Sequence, residues 1–270
     1  MKEKVILIVG ASSGIGKACA FELSKEGHIV FGTSRKVKNW EEIPVGEKKF
    51  YLLPMDVTDD QSIFQGVSKI VEKEGKIDVL IQNAGVGLAG PIEETQEKEA
   101  IWQFEVNFFG AFRVVKNILP IMRKRKNGLI VFISSLAGEF GLPFQSFYSA
   151  SKAALNNFAE ALQMECSFLK VAVVEPGDYR TSFPDNRVMV KGYNPEISFY
   201  KNCQIAIQKQ EKAERQGGNP EEVAKLISKI IKNPSRFYYR VGKNAKIIGI
   251  LGKILPRRLV IEAVAKHYGL

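Results

Sequence analysis

Short apolar runs recur along this chain and alternate with stretches of helical spacing. The runs lie at 5–9, 28–32, 50–53, 78–81, 129–133 and 171–174, with a last candidate strand at 237–241. Short apolar runs separated by amphipathic helices are typical of parallel strands that are buried on both faces. The pattern therefore predicts an α/β fold, a Rossmann-type doubly wound parallel sheet of about seven strands with helices on both faces.

The first apolar run is followed by three glycines, Gly10, Gly14 and Gly16, and then by a helical pattern. A strand, a glycine-rich turn and a helix in this order are the context in which such a motif binds a dinucleotide. Gly10 permits the tight turn, while Gly14 and Gly16 allow the backbone to approach a pyrophosphate and the helix to pack on the sheet. Free N–H groups at the helix start favour phosphate, and Ser12 and Ser13 add hydroxyls.

Tyr148 and Lys152 lie four residues apart in a stretch of helical spacing, so they share one face of a helix. A lysine ammonium beside a phenol favours the phenolate, and we expect it to lower the pKa of Tyr148. Ser135 follows the apolar run at 129–133 and so emerges at the carboxyl end of a strand. Many amphipathic helices carry a tyrosine and a lysine at this spacing, so the pair gains meaning only from the other motifs.

Those motifs resemble the short-chain dehydrogenase/reductase family, from residue 4 to about residue 241. VGASSGIG at 9–16 is similar to the family's TGxxxGIG, QNAG at 82–85 to its NNAG, and PGDYRT at 176–181 to its PGxxxT. Two departures fall on supporting positions. Val9 cannot supply a threonine hydroxyl to the turn, and Gln82 replaces an asparagine and alters the local hydrogen bonding.

Four residues, Asn107, Ser135, Tyr148 and Lys152, match the family's catalytic tetrad. The resemblance implies that Tyr148 donates a proton to a carbonyl oxygen, or accepts one in the oxidising direction. Ser135 would hydrogen-bond the same oxygen and stabilise its developing charge. Lys152 would hold the nicotinamide ribose, and Asn107 would hold a water that replenishes the proton.

We expect cofactor contacts from the glycine turn, from several strand ends and from the helix of Tyr148. These residues are Gly10, Ser12, Ser13, Gly14, Ile15, Gly16, Ser34, Arg35, Lys36, Asp56, Val57, Asn83, Ala84, Gly85, Tyr148, Lys152, Pro176, Gly177 and Thr181. By resemblance, Asp56 would contact the adenine amino group.

The end of the second apolar run indicates the kind of cofactor. An Asp or Glu at this point holds the ribose 2′-hydroxyl of NAD, whereas an arginine accommodates the 2′-phosphate of NADP. Here no carboxylate occurs before Glu41, while Arg35 and Lys36 bring two positive charges. The planar fork of Arg35 matches a phosphate. We therefore expect NADP(H) in preference to NAD(H), the alternative being that these are ordinary solvated loop charges.

The chain has 270 residues, of which 45% are hydrophobic, and can bury a sizeable core. No repeat or low-complexity linker interrupts the pattern. We therefore expect one dinucleotide-binding and catalytic domain over 1–270. Within it, about 178–218 would form a mobile substrate lid and about 243–270 an amphipathic tail.

The sequence lacks the residues that a histidine-based catalytic triad, a zinc site or a CxxC redox motif would require. The two histidines, His28 and His267, allow no histidine-based triad near Ser135, and no zinc-binding set is apparent. The three cysteines are odd in number and lack a CxxC spacing, which favours free thiols in a reducing cytosol. The apolar core of MKEKVILIVG is too short for a signal peptide, so we expect a cytoplasmic protein.

Apolar residues between the serine and the tyrosine indicate a hydrophobic substrate. The expected substrate contacts are Ser135, Phe140, Leu142, Phe144 and Tyr148. They suggest a ketone and secondary alcohol of steroid, retinoid, or long-chain acyl or sphingoid type. The alternative is that many of them are core or dimer contacts. A second function class is a non-catalytic NADP(H)-sensing or scaffold protein on the same fold.

The carboxyl-terminal tail is apolar and basic, and its charges at 246, 253, 257 and 258 forbid a spanning helix. It could cover the pocket, a subunit interface or an anionic membrane surface. Similar tails occur in family members that resemble 17β-hydroxysteroid and retinol dehydrogenases. The net charge of +10 is scattered among acids, so we expect no nucleic-acid partner. The resemblance implies a homodimer or homotetramer through the helices that bear Asn107 and Tyr148.

Overall fold

Five fully buried residues, Val5–Val9, form the first strand of a mostly parallel sheet in the computed structural model, which describes residues 2–243 and 245–270. The strands are β1 (Val5–Val9), β2 (Ile29–Ser34), β3 (Glu41–Val45), β4 (Lys48–Pro54), β5 (Val79–Gln82), β6 (Leu88–Ala89), β7 (Gly128–Ile133), β8 (Leu169–Pro176), β9 (Val188–Met189) and β10 (Tyr238–Val241). Eight of them form one sheet in the order β10-β8-β7-β5-β1-β2-β4-β3, and β6 pairs with β9.

Helices cover both faces of this sheet. They are α1 (Gly14–Lys25), α2 (Asp60–Glu74), α3 (Glu97–Phe104), α4 (Gly110–Lys124), α5 (Ser146–Glu165), α6 (Asn202–Arg215), α7 (Pro220–Lys232), α8 (Ala245–Ile254) and α9 (Arg257–Tyr268). Apolar residues of α2, α4 and α5 pack on one face, and those of α1 and α7 pack on the other. The predicted doubly wound α/β fold is therefore confirmed.

The sheet has one strand more than the apolar runs predict. β3 runs antiparallel to β4, with Glu41 opposite Leu52, while the other neighbouring pairs of the sheet are parallel. Its sequence, EEIPV, is mostly exposed and contains Pro44, which an edge strand tolerates because one side of it needs no hydrogen-bond donor. A polar edge strand leaves no apolar run, which is why the sequence pattern missed it.

The segments expected to form a lid and a tail follow β8 and β10. The lid segment holds a short 3-10 helix, Pro184–Asn186, then β9 and α6. Pairing of β9 with β6 joins it to the loop after β5. The mobility expected of this lid stays a prediction.

The tail forms the two helices α8 and α9. Of the four tail charges in the sequence analysis, the side chains of Lys246 and Lys253 lie outside the described residues, as does Asn244. No helix in the described parts of the chain is both long enough and apolar enough to cross a membrane.

Candidate active site

A cavity of about 720 Å³ opens where the carboxyl ends of β1, β2, β5, β7 and β8 meet. Parallel α/β sheets bind ligands at this edge, because strand order reverses there and leaves a crevice. The cavity wall includes most of the residues expected to contact cofactor or substrate. Those in the wall are Gly10, Ser12, Ser13, Gly14, Ile15, Ser34, Arg35, Lys36, Val57, Asn83, Ala84, Gly85, Ser135, Phe140, Leu142, Tyr148, Lys152, Pro176, Gly177 and Thr181.

Tyr148 and Lys152 project from α5 into this cavity although both are buried. The Lys152 ammonium lies 5.9 Å from the centre of the Tyr148 ring and donates a 2.9 Å hydrogen bond to the carbonyl of Ile133, the last residue of β7. Ser135 lies two residues after β7, and its Oγ accepts a 3.1 Å hydrogen bond from the backbone N–H of Ala137. Strand β7 and helix α5 therefore bring serine, tyrosine and lysine into one wall.

The electrostatics of this group correct one expectation. Burial raises the pKa of Tyr148 to about 12, and this outweighs the lowering that comes from its hydrogen bond with Ser135. Burial also lowers the pKa of Lys152 to about 8. The expectation that Lys152 lowers the pKa of Tyr148 was therefore wrong for this structure, because desolvation of the phenol dominates. Tyr148 is a protonated phenol at neutral pH, which suits a proton donor.

Asn107 lies behind the cavity wall, in a π-helical turn, Glu105–Phe109, between α3 and α4. Its side chain is fully hydrogen-bonded: Oδ1 accepts from the Val86 N–H at 2.8 Å, and Nδ2 donates to the Val86 carbonyl and to Ser151 Oγ. A Cβ added to Gly85 would lie 3.4 Å from Asn107 Oδ1 and 3.6 Å from Lys152 Nζ. Asparagine and lysine thus converge behind Gly85, although the proposed water relay stays a prediction.

The glycine turn has the shape that a dinucleotide phosphate requires. Gly10 and Gly14 adopt positive φ angles of 84° and 56°, and a Cβ on Gly16 would lie 2.0 Å from the Gly10 carbonyl oxygen. The Gly10 N–H donates to Thr33 Oγ1 at 3.3 Å, so a threonine of β2 supplies the hydroxyl that Val9 lacks. These residues fit a nicotinamide dinucleotide, since the turn leaves backbone and helix start open to the cavity.

The end of β2 places the basic pair where the sequence predicts it. Ser34 is buried and accepts the Lys36 N–H at 3.1 Å, whereas Arg35 and Lys36 are exposed in the cavity wall. Asp56 instead accepts from the N–H and Oγ1 of Thr58 and lies outside the wall, while its neighbour Val57 lies within it. The expected adenine contact of Asp56 therefore stays a prediction.

Phe144 is the expected substrate residue that the structure places elsewhere. Its ring packs 6.4 Å from that of Tyr200, in a small cluster around Cys203 and Ile207. Its backbone has a φ of 59°, and the residue is not part of the cavity wall. Gly16 is likewise outside the wall, because it packs against the turn.

Sequence reasoning missed several residues of the wall. Gln145, Asp178 and Phe183 line the cavity, and the Phe183 ring lies 5.5 Å from that of Tyr148. Gln145 directly precedes α5, and its closeness in sequence to Tyr148 was a usable signal. Both tail helices also contribute. Their wall residues are Ile248, Leu251, Gly252, Leu255, Val260, Ala263, Val264, His267 and Tyr268. The tail therefore covers the pocket, a position that could not be decided from the sequence alone.

The comparisons with known proteins agree with this geometry. The family model of the short chain dehydrogenases matches residues 4–189. A 3-ketodihydrosphingosine reductase of Bacteroides thetaiotaomicron is 40% identical over 279 aligned positions that cover 100% of both chains. Retinol dehydrogenase 8 of Bos taurus is 34% identical, with 84% of this chain and 78% of that protein covered. A solved short-chain dehydrogenase from Streptomyces avermitilis superposes with a TM-score of 0.82 at 31% identity, covering 97% and 96%.

The chain belongs to the short-chain dehydrogenase/reductase family. It is an oxidoreductase that acts on alcohol or carbonyl groups, on a fold that binds NAD(P). The family, the fold class and the enzyme class predicted from the sequence are thus confirmed.

Proposed function

We propose that this chain is an NADP(H)-dependent oxidoreductase that interconverts a hydrophobic ketone and its secondary alcohol. The observation that supports this proposal best is the single cavity wall that Tyr148 shares with Ser135 and Lys152. Burial raises the pKa of the Tyr148 phenol to about 12. A buried phenol with a raised pKa can hold its proton until a carbonyl oxygen becomes basic enough to take it.

The residues of this chain have separate tasks in that reaction. The bound cofactor supplies the hydride, and the protein supplies orientation, charge stabilisation and the proton. Ser135 hydrogen-bonds the carbonyl oxygen, and Tyr148 protonates it as charge develops. Lys152, whose lowered pKa leaves it close to titration near pH 8, holds the ribose and returns a proton to the phenol. Asn107 fixes the backbone of Val86, which lies next to Gly85 in the cavity wall.

The preference for NADP(H) rests on the end of β2. Arg35 and Lys36 stand there in the cavity wall, and no carboxylate occurs between them and Glu41. Arg35→Glu should raise the Kd for NADPH by about 10–100-fold, since charge-assisted bonds to phosphate contribute roughly 1.5–3 kcal/mol. The Kd for NADH should change little. Arg236→Glu, which reverses an exposed charge outside the wall, is the control. Equal weakening of both cofactors would contradict the role of Arg35.

For the substrate, a long-chain sphingoid-type ketone is favoured over a retinoid or a steroid. The wall is largely apolar near Tyr148, with Phe140, Leu142 and Phe183, and the tail helices extend it. The relative called 3-ketodihydrosphingosine reductase also supports this choice. Its sequence identity to this chain is higher than that of retinol dehydrogenase 8, and the alignment covers more of both chains.

Cofactor consumption against a panel of carbonyls tests this function. NADPH and NADH are each offered with a 3-ketosphinganine-type, a 3-ketoacyl, a retinal and a steroid substrate. We expect NADPH oxidation that depends on the ketone and is fastest with the sphingoid type. NADPH binding without turnover on any carbonyl would contradict the proposal, and faster turnover with NADH would contradict the cofactor preference.

We also propose peripheral membrane contact and a homodimer. On α8, Ile247, Ile250 and Ile254 are at least half exposed, and the basic Arg257 and Arg258 follow. Such a surface suits an anionic bilayer. Reduced flotation of Ile254→Glu with anionic liposomes is expected, and equal flotation would refute the contact. Light scattering tests the dimer, and a monomer at micromolar concentration would refute it.

A further inference from the structure

Gln145 carries a hydrogen-bond donor that the folded protein does not use. The residue is 2% exposed and lines the cavity, and its Nε2 has no hydrogen-bond partner among the described residues. Leaving a buried amide N–H unpaired is costly, so such groups are rare in folded proteins. A donor held in this way in a cavity wall points to an acceptor on a bound molecule.

The position of Gln145 indicates which molecule that is. Gln145 directly precedes α5 and has non-helical backbone angles, φ −134° and ψ 35°, whereas Tyr148 and Lys152 lie on the helix, and all three residues line the cavity. Lys152 lies at the ribose side of Tyr148 in the proposed function. Gln145 lines the same cavity as the Tyr148 phenol, so a substrate that reaches Tyr148 can offer an acceptor to its unpaired Nε2.

A second polar group of the same cavity is the Asp178 carboxylate. It accepts one hydrogen bond, at 2.9 Å from Gln210 Nε2, and in the described parts of the chain no lysine or arginine forms an ion pair with it. The other carboxylate of this wall, Glu214, is held by two bonds of 2.6 and 2.8 Å from Arg187. The Asp178 carboxylate therefore keeps acceptor capacity that is available to a ligand.

The charges of this wall are close enough to act on Tyr148. After burial and the hydrogen bond with Ser135, Glu214 and Asp178 contribute to the raised pKa of the phenol, while Arg187 opposes them. The protein packed around Asp178 raises its pKa as well, although the residue is exposed overall. Because Arg187 pairs with Glu214, Asp178 is the carboxylate of this wall, among the described residues, that can attract a cation on a ligand.

We propose that Asp178 and Gln145 bind the polar head of the substrate. Asp178 binds an ammonium group next to the carbonyl, and Gln145 donates a hydrogen bond to a neighbouring hydroxyl oxygen. This inference rests on the proposed ketone reduction and narrows it to ketones with an amino-alcohol head. The apolar wall takes the hydrocarbon chain. Specificity of this kind is strong, because removing the substrate's polar group leaves buried protein groups unpaired.

Two matched ketones test the proposal. One is a long-chain ketone with amino and hydroxyl groups next to the carbonyl, and the other has the same chain but lacks the amine. We expect wild type to prefer the first in kcat/KM. Asp178→Asn should lower kcat/KM for the amino ketone by about 10–100-fold, as expected for a bond to a charged group, and that for the amine-free ketone by a smaller factor, which reflects only the effect of the Asp178 charge on Tyr148. Asp185→Asn removes an exposed charge outside the wall and is the control.

Gln145→Met provides the second variant. It should lower kcat/KM for both hydroxylated ketones by about 3–10-fold, as expected for a neutral hydrogen bond. It should leave the thermal unfolding midpoint of the protein alone unchanged or higher, because it removes an unpaired buried donor. A residue with a merely structural role would not lose activity while keeping or gaining stability.

The outcomes separate this inference from the proposed function. Head-group recognition would be overturned if wild type had equal kcat/KM for the two ketones, or if Asp178→Asn lowered kcat/KM for both ketones by the same factor. Neither result would affect the proposed ketone reduction. If neither ketone is reduced, the proposed function fails. Thermal stabilisation by the amino alcohol compared with the amine-free alcohol then still decides head-group binding, and equal stabilisation would overturn it.

Discussion

At the scale of single residues, burial shifts the pKa values of Tyr148 and Lys152, both on α5, in opposite directions. Desolvation disfavours the charged form of each, so the Tyr148 phenol keeps its proton and the Lys152 ammonium gives its proton up more easily. Sequence could place both on one helix face. It could not tell that burial dominates the pKa of the phenol, because burial depends on Phe183 and other residues far away in the chain.

The lowered pKa of Lys152 predicts a particular pH dependence of stability. Between about pH 8 and pH 10.5, the unfolded chain binds more protons at this residue than the folded chain does. The contribution of Lys152 to the free energy of unfolding therefore increases as the pH rises through that window. Urea denaturation of wild type and Lys152→Met across these pH values should show a difference that shifts in favour of wild type with rising pH. A constant difference would contradict the buried, easily deprotonated lysine.

At the scale of elements, most of the sheet could be predicted, including its β10 edge, but the β3 edge could not. β1, β2, β5, β7 and β8 coincide with apolar runs, because buried parallel strands leave such runs. The exposed β3 and the two-residue β6 and β9 leave no pattern. The packing of Phe144 against Tyr200, outside the cavity wall, could not be predicted either, because Tyr200 lies 56 positions further along the chain.

The glycine turn between β1 and α1 was predicted from the sequence in most detail. Its proposed role in binding phosphate can be tested by adding a single methyl group. Gly16→Ala would place a Cβ 2.0 Å from the Gly10 carbonyl oxygen and 2.7 Å from the Asn83 amide nitrogen that bonds it. We expect a loss of about 1–3 kcal/mol in unfolding free energy, typical of overpacking, together with weaker NADPH binding. Gly141→Ala, with open space around the added Cβ, should change neither quantity. An unaltered Kd in Gly16→Ala would refute the tight turn as the phosphate site.

At the scale of the whole molecule, the carboxyl-terminal helices close the cavity that the sheet opens. Tyr268 donates to Gln210 on α6, Lys209 donates to the His267 carbonyl, and Arg257 donates to the Glu139 carbonyl at 2.8 Å. The sequence shows that this tail is apolar and basic. It does not show where the tail lies, because its contacts join residues more than 50 positions apart in the chain.

A pair of neighbouring residues on α9 tests this closure. Val260 is 7% exposed and lines the cavity, whereas Ile261 is 61% exposed. Val260→Asp should raise KM for a long-chain ketone by about tenfold or more, since a buried apolar side chain contributes roughly 1.5–3 kcal/mol, and should leave the Kd for NADPH unchanged. Ile261→Asp should alter neither. Equal effects of the two variants in detergent-free solution would contradict the tail as a wall of the substrate pocket.

Tyr148→Phe tests the central claim most directly. The change removes one hydroxyl and keeps the ring that packs 5.5 Å from Phe183, so folding and NADPH binding should be preserved. Formation of the alcohol from a long-chain ketone, measured by mass spectrometry with saturating NADPH, should fall by at least about 10²-fold, the usual contribution of a general acid. Alcohol formation at the wild-type rate in Tyr148→Phe, with NADPH still bound, would show that this phenol is not the proton donor.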